Sequence, residues 1–448
     1  MSFRTKFILI LLSATLTLYS VLGGWISMGA QQPANDPNAQ LRIFESVLQH
    51  IQSDYVDEPN MDKVRAGALR GLAYGLDPYS TYLTPDQVRE YNAGSKDNQI
   101  GIGAELSQVA SYLYVIAPIK GSPADQAGIK AGDIIEYIDN KATRDISLYD
   151  AKQLLNGPAG SEVKLRVLRA NSSPLTVSVK RGTARAAAAE SRMEAGRIGV
   201  LRINSLSDGE ATEVRTRLQD LVKLGAQKIV IDLRATAGGS LPEAVAVANM
   251  FIKDGVIAQT VGRESKALKT FTADPKLTLF SGPVVALIDT GTAGAAEVIA
   301  SALIDRNRGQ VVGEKSFGAG TEQQLFMLRG GDGLLLTTVK WATAAGKTFL
   351  GEDRAHSGVA PSVEVKGQDV AETVDPDELT GNDDDAITKP EQGNEKPSAA
   401  TPAPRRTGAG RHRRIPSPGC ARSCPAARRA SPAHTPRRWR RCSRTRRG

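Results

Sequence analysis

His356 is the only histidine between residues 196 and 366; it lies in the loop GEDRAHSGVAP, and no cysteine accompanies it. Zinc hydrolysis needs several His, Cys or carboxylate ligands at set spacings, such as H-E-x-x-H. Nothing of that form occurs, so no metal is expected and His356 reads as a solvated loop residue. The turn Ala235-Thr236-Ala237-Gly238-Gly239-Ser240 has the glycines of a phosphate cradle. It lacks the G-K-[ST] ending that grips phosphates, so no nucleotide or other cofactor is expected. Asp383-Asp384-Asp385 sits in an acidic stretch and reads as solvated linker, not a calcium loop. Cys420 and Cys424 have no ligand-like spacing to His412 or His434. Hydroxyls and amines remain: Thr292, Ser301, Lys315 and Ser316 lie within one short stretch. An amine can act as base to a hydroxyl only where desolvation leaves it neutral near neutral pH.

The chain has 448 residues, room for about three domains at roughly 150 residues each. Its 41% hydrophobic and 23% charged content excludes a wholly disordered chain or a many-span membrane protein. A net charge of +9 suggests nucleic-acid binding until its distribution is read. Residues 401–448 hold fifteen Arg and no Lys, Asp or Glu, which leaves −6 on the other 400. All three cysteines (Cys420, Cys424, Cys442) lie in that tail, so the folded part needs no disulfide, and nucleic acid is not an expected partner.

Arg4 and Lys6 precede an apolar run from Phe7 to about Met28, long enough to cross a bilayer as a helix. Basic flanks stay cytoplasmic, which puts the rest outside the cytoplasm. Met28 fits poorly at the −3 position of a cleavage site. Residues 1–30 therefore read as an uncleaved signal anchor in preference to a cleaved signal peptide. Leu41, Phe44, Leu48, Ile51 and Tyr55 recur at helical spacing, and Met61–Tyr74 is a second helical run. Thr84 before Pro85 reads as an N-cap with Pro at N1. This segment, residues 39–95, is too small to bury much core alone, and is expected to pack on a neighbour or a second subunit.

Residues 98–182 change to short strands and turns, at Tyr112–Ile116, Asp133–Ile138, Val163–Leu168 and Leu175–Val179, with helices at Ala124–Ala127 and Ser147–Leu155. Residues 186–366 read as α/β. Buried strands are predicted at Ile198–Ile203, Ile229–Leu233, Val284–Ile288, Gln310–Val312 and Leu334–Lys340. Helices are predicted at Asp208–Lys223, Leu241–Phe251 and Ala295–Ile304. Residues 367–400 hold ten acidic and two basic residues, which is linker chemistry. The Arg/Pro-rich tail, 401–448, has no periodicity and reads as a disordered basic arm or a frameshift product.

Gly101-Ile102-Gly103-Ala104 and the run GSPADQAGIKAGDIIEYIDNKA make residues 98–182 resemble a PDZ domain. In that family the first loop offers N–H groups to a peptide carboxylate and the peptide adds as a strand. The resemblance thus implies Gly101, Ile102, Gly103 and Ala104 as peptide-binding residues. Five further stretches extend it over residues 40–366: ESVLQHIQSDYVDE, GLDPYSTYLTP, IGVLRINSLSD, KIVIDLRATAGGSLPEAVAVANMFI and VVGEKSFGAGTEQQ. Together they resemble the carboxyl-terminal processing peptidases, tail-specific serine proteases of bacterial envelopes and chloroplast lumens. The fold implied is α/β (α+β): an N-terminal helical segment, a PDZ domain and a crotonase-like α/β body.

Members of that family use a Ser–Lys dyad, the Lys oriented by a Gln, with an oxyanion site at a Gly-Gly turn and just after the Ser. Carried over, the Ser position is Gly294 in Gly291-Thr292-Ala293-Gly294-Ala295-Ala296-Glu297. The Lys position is Ala319 in Glu314-Lys315-Ser316-Phe317-Gly318-Ala319-Gly320. Gln323 matches the orienting Gln, and Gly238, Gly239 and Ala295 the oxyanion turn. The expectation is a pseudopeptidase in which no catalytic residue is intact, binding C-terminal tails or unstructured segments of envelope proteins. An active paralogue or a second copy of the chain is the other partner class, and the N-terminal segment tethers it to the inner membrane, facing the periplasm. The competing expectation is an active endopeptidase with a relocated dyad, Thr292 or a nearby Ser with Lys315. Ser301 and Ser316 read as helix-face and strand-face residues. Restoring Ser at 294 and Lys at 319 is expected to rebuild activity only if position 294 does not require a positive φ.

Overall fold

The computed structural model describes residues 37–94, 100–144 and 146–365, with Ser13, Thr15 and Thr17 besides. The remainder of the anchor or signal segment, the 367–400 linker and the 401–448 tail lie outside the described residues. Among the described residues, no helix is long and apolar enough to cross a membrane.

The chain opens with helices α1 (Pro37–Asp54) and α2 (Met61–Tyr74), strand β1 (Thr81–Leu83) and helix α3 (Pro85–Ala93). Asn60 caps α2 by accepting the Lys63 N–H. Thr84 and Gln87 form a reciprocal capping box on α3, with Pro85 in the first turn as the sequence suggested. The segment is not wholly helical, however. Strand β1 pairs antiparallel with residues 333–335 of the body, and Leu83, Val88 and Leu335 bury together.

A mostly antiparallel unit follows, with β2 (Ile100–Gly101), β3 (Ala104–Val109), β4 (Tyr112–Pro118), α4 (Pro123–Gln126), β5 (Ile134–Ile138) and β6 (Lys141–Ala142). Helix α5 (Leu148–Leu155), β7 (Glu162–Leu168), β8 (Leu175–Lys180) and β9 (Gly182–Thr183) complete it. The sheet runs β3-β4-β5-β7-β8, so β3 is an edge strand. Val163, Leu165 and Val167 alternate with exposed residues along β7, as one buried sheet face demands. They pack with Ile102, Leu106, Leu113, Leu148 and Leu155 in one core.

The body comprises β10 (Glu190–Glu194), β11 (Ile198–Arg202), α6 (Glu210–Lys223), β12 (Lys228–Asp232), α7 (Leu241–Asn249), β13 (Val256–Val261) and β14 (Ala267–Thr272). It continues through β15 (Val284–Ile288), α8 (Ala295–Asp305), β16 (Gln310–Gly313), β17 (Thr321–Met327), β18 (Gly333–Thr343) and β19 (Val363–Glu364). Its main sheet has the order β10-β11-β12-β15-β16-β19, parallel from β11 onward. A second sheet joins β1, β18, β13 and β14, with β17 on β18. Alanines 244, 248, 295, 296, 300 and 302 are all buried, and these small side chains let α7 and α8 approach closely. The turns after β12, β15 and β16 emerge side by side at the carboxyl ends of adjacent parallel strands, where open α/β sheets place their sites.

Candidate functional site

The turn after β15 is held by Asp289. Its carboxylate accepts the N–H groups of Ala235 (2.8 Å) and Gly291 (3.1 Å) and lies 3.0 Å from the Thr292 hydroxyl. Burial pushes the Asp289 carboxyl above the usual range, and these donors offset part of the rise. Thr292 is fully buried, with its hydroxyl also 3.0 Å from the Leu233 carbonyl. Thr292 is thereby committed to holding the turn.

Gly294, the first residue of interest, has φ 64° and ψ −115°. That region is closed to most side chains, and a Cβ here would sit 3.3 Å from the Gly238 carbonyl oxygen. The same carbonyl accepts the Ala295 N–H at 3.1 Å. The N–H expected as an oxyanion donor is therefore already engaged. Gly238 and Gly239 both have positive φ (75° and 87°), which lets the turn present its carbonyl in this way.

Glu297 lies in the first turn of α8 and is fully buried. Its Oε2 accepts the N–H groups of Gly294 and Ala319, and its Oε1 that of Gly318, each at 2.8 Å; the Ser316 hydroxyl also donates to Oε1. Burial pushes its carboxyl up to about 7, against the pull of those four donors. Ser316 is not on a strand, contrary to the sequence reading. It lies in the irregular loop after β16, where its hydroxyl also accepts the Val359 N–H at 2.7 Å. Such a hydroxyl is a brace, and the local sequence carries no sign of it. Ser301 is buried on α8, bonded to Val298 O within its own helix.

Ala319 packs with Ala237 against a small apolar cluster of Tyr114, Ile116, Ile134, Ala293 and Phe317. Tyr114 and Phe317 stack with ring centroids 5.5 Å apart, and the Arg354 guanidinium lies 4.7 Å above the Phe317 ring. Tyr114, Ile116 and Ile134 come from β4 and β5, so the antiparallel unit covers this wall of the site. Gln323 turns to its own sheet, donating to Thr321 (2.7 Å) and Thr337 (3.2 Å). Lys315 donates to the Ala355 carbonyl. Desolvation and the neighbouring Arg354 lower its pKa, but no hydrogen bond joins it to Thr292 among the described residues. His356 is exposed against Asp353, 2.7 Å away.

Gly101, Ile102, Gly103 and Ala104 line a separate cavity of about 310 Å3 between β3 and α5, closed on the helix side by Lys152, Leu155 and Asn156. Ile102 is buried in the core beneath it. The carbonyl of Gly103 accepts from Ile119 N (3.0 Å) and the Ser122 hydroxyl (2.7 Å), which fixes the loop. The Ile102 and Gly103 N–H groups take no backbone partner among the described residues. Glu105, next along β3, turns away to lie against Gly238, so the peptide-type groove and the Gly-Gly turn share a wall. Sequence reasoning missed Glu105, because that contact joins residues more than a hundred positions apart and has no local signature.

An open α/β body whose turns cluster at the ends of its parallel strands is thus joined to a small antiparallel sheet with an edge strand beside a helix. Residues 197–365 match the model of peptidase family S41, and residues 114–169 that of the PDZ domain. The chain belongs to peptidase family S41. It is 31% identical over 360 residues to the carboxy-terminal processing protease CtpA of Bacillus subtilis, covering 80% of this chain and 76% of that protein. A probable CtpA-like serine protease of Staphylococcus aureus is 32% identical over 359 residues, covering 80% of this chain and 70% of that protein. Among solved structures, the photosystem II D1 C-terminal processing protease superposes with a TM-score of 0.60 at 26% identity. The match covers 72% of this chain and 86% of that one.

Proposed function

We propose that this S41 member is a peptide-capturing pseudopeptidase: it holds C-terminal tails of envelope proteins and hydrolyses none. The observation that carries the reading is the pair Gly294 and Ala319. One offers no nucleophile and the other no base, and Ala319 packs against an apolar wall. Without those groups only oxyanion stabilisation could remain, and the Ala295 N–H is already bonded to Gly238. Capture falls to the loop Gly101–Ala104 and the free edge of β3, which suit a terminal carboxylate and an added strand. The apolar run from Phe7 to Met28 tethers the chain to the inner membrane with its body in the periplasm. An active paralogue or a second copy of the chain is its assembly partner.

Two measurements test this. A fluorophosphonate probe should label no residue of the full chain, and casein should remain intact; covalent labelling would instead favour a relocated Thr or Ser nucleophile with Lys315. A peptide ending in an apolar residue should bind as the free acid and lose most of its affinity on C-terminal amidation. Equal binding of acid and amide would reduce the PDZ domain to a scaffold.

A further inference from the structure

Where the turn between α2 and β1, the end of β3 and two loops of the body meet, they line a cavity of about 480 Å3. It shares no lining residue with the groove at Gly101–Ala104. The Tyr74 hydroxyl donates to that of Ser111 at 2.8 Å, which ties α2 to the turn after β3 beside it. The volume is that of a site for a small organic molecule. Leu76, Pro78, Val109, Phe317 and Leu350 give it an apolar wall. Leu76 is 67% exposed, so a ligand there would take from water an apolar side chain that the fold leaves in it.

The charged groups on the wall are unequally satisfied. Asp77 accepts the N–H groups of Tyr79 and Ser80 and the hydroxyls of Ser80 and Thr337, all within 3.0 Å. Asp353 is turned to His356. Arg354 donates to the carbonyls of Ser316 and Phe317 and lies over the Phe317 ring. Glu352 is exposed, where water screens its charge. Lys340 differs from all of these. It is half-buried on β18, and its Nζ donates to the Leu350 carbonyl at 3.2 Å. Among the described residues it makes no ion pair. An ammonium has three donors, so two remain for a ligand, and a partly desolvated cation gains from an anionic partner. Only a monoanion fits: a phosphate dianion would bring a second negative charge toward Asp77, Glu352 and Asp353.

We propose that this cavity binds a small aliphatic carboxylate, with its headgroup on Lys340 and its chain against Leu76, Val109, Phe317 and Leu350. The site is independent of the peptide groove, so the failure of either reading leaves the other standing.

The test titrates octanoate, octanol and N-acetyl-Leu-Leu into the full chain by isothermal titration calorimetry, with Lys340→Met and Leu76→Gln in parallel. Octanoate should bind saturably at one site per chain, and octanol at least tenfold more weakly. Lys340→Met should lose tenfold or more of the octanoate affinity and leave octanol unchanged. Leu76 belongs to no buried cluster, so Leu76→Gln should keep the parent's melting temperature while binding octanoate severalfold more weakly. Octanoate affinity unaltered in a folded Lys340→Met, or equal binding of acid and alcohol, would overturn the role of the ammonium. Octanoate affinity unaltered in Leu76→Gln would overturn the placing of the chain. Tighter binding of N-acetyl-Leu-Leu than of octanoate would overturn the aliphatic class, and no saturable octanoate binding would overturn the site.

Discussion

Gly294 and Ala319 are held by the same oxygen: Glu297 Oε2 accepts the N–H of each at 2.8 Å. The two backbone positions that the family resemblance aligns with a nucleophile and a base are thus pinned together by one buried carboxylate. With Gly318 and Ser316 on the other oxygen, four donors converge on a group that no solvent reaches. Breaking any one would leave a buried polar group unpaired, at a cost of about 1–3 kcal/mol. That cost accounts for the well-formed turn at Gly294.

The Glu297 carboxyl, pushed up to about 7 from its usual 4.5, makes stability depend on pH. Between those values the folded chain binds a proton that the unfolded chain has released. The stabilisation is therefore full below about pH 4.5 and lost as pH rises through about 7. Glu297→Gln should show a shallower fall over that window, by up to about 1.4 kcal/mol per pH unit. Urea denaturation of both proteins between pH 5 and 8 reads this directly, and parallel curves would refute it.

Asp133 is completely buried and accepts two hydrogen bonds from Arg169 at 2.7 Å, with Lys130 N–H as a third donor. Arg169 also donates to the Gly128 carbonyl. Arg169→Met would strand the carboxylate, at a cost of about 3–5 kcal/mol. Thermal unfolding should show the PDZ domain weakened or unfolded. A variant as stable as the parent would show that water reaches Asp133.

Phe317→Ala tests the wall between the PDZ domain and the body. The ring is buried, stacks on Tyr114 and carries the Arg354 guanidinium. Its removal should cost about 3–5 kcal/mol and raise hydrogen exchange in Tyr112–Pro118 and in the loop after β16 together. Exchange confined to one side would mean the two faces are not coupled through this ring.

The sequence was most legible where burial is uniform. Strands β11, β12 and β15 (IGVLR, KIVID, VVALI) are short apolar runs, as parallel strands covered on both faces must be. The cap at Thr84 was readable because its chemistry is local. By contrast β3, β13, β14 and β17 were not read as strands, since AELSQV or TEQQLFM mixes polar residues on a half-exposed or edge strand and gives no clear period. Strand β1 is three residues long and exists only because residues 333–335 pair with it. At the site, the types at 294 and 319 could be read. The Gly238 carbonyl facing Ala295 could not, because a peptide plane's orientation leaves no mark in residue types.

Gly294→Ser with Ala319→Lys would place a serine and a lysine at the two positions the family resemblance aligns with its dyad. The positive φ at 294 was the condition under which the sequence expected trouble, and the structure meets it. A serine there carries backbone strain of about 1–3 kcal/mol, with its Cβ 3.3 Å from the Gly238 carbonyl. A lysine at 319 must thread past Phe317 and Tyr114, and overpacking adds about 1–3 kcal/mol. Strained nucleophile turns are tolerated in working hydrolases, so strain alone does not forbid activity. The Ala295 N–H is the harder obstacle, because it must leave Gly238 O before it can stabilise an oxyanion. The double variant should therefore fold with a lowered melting temperature and show no casein hydrolysis above the parent. Modest labelling by a fluorophosphonate is expected, and neither single variant should label. Robust turnover by the double variant would mean that the Gly238–Gly239 turn flips readily and that only the two side chains have been lost.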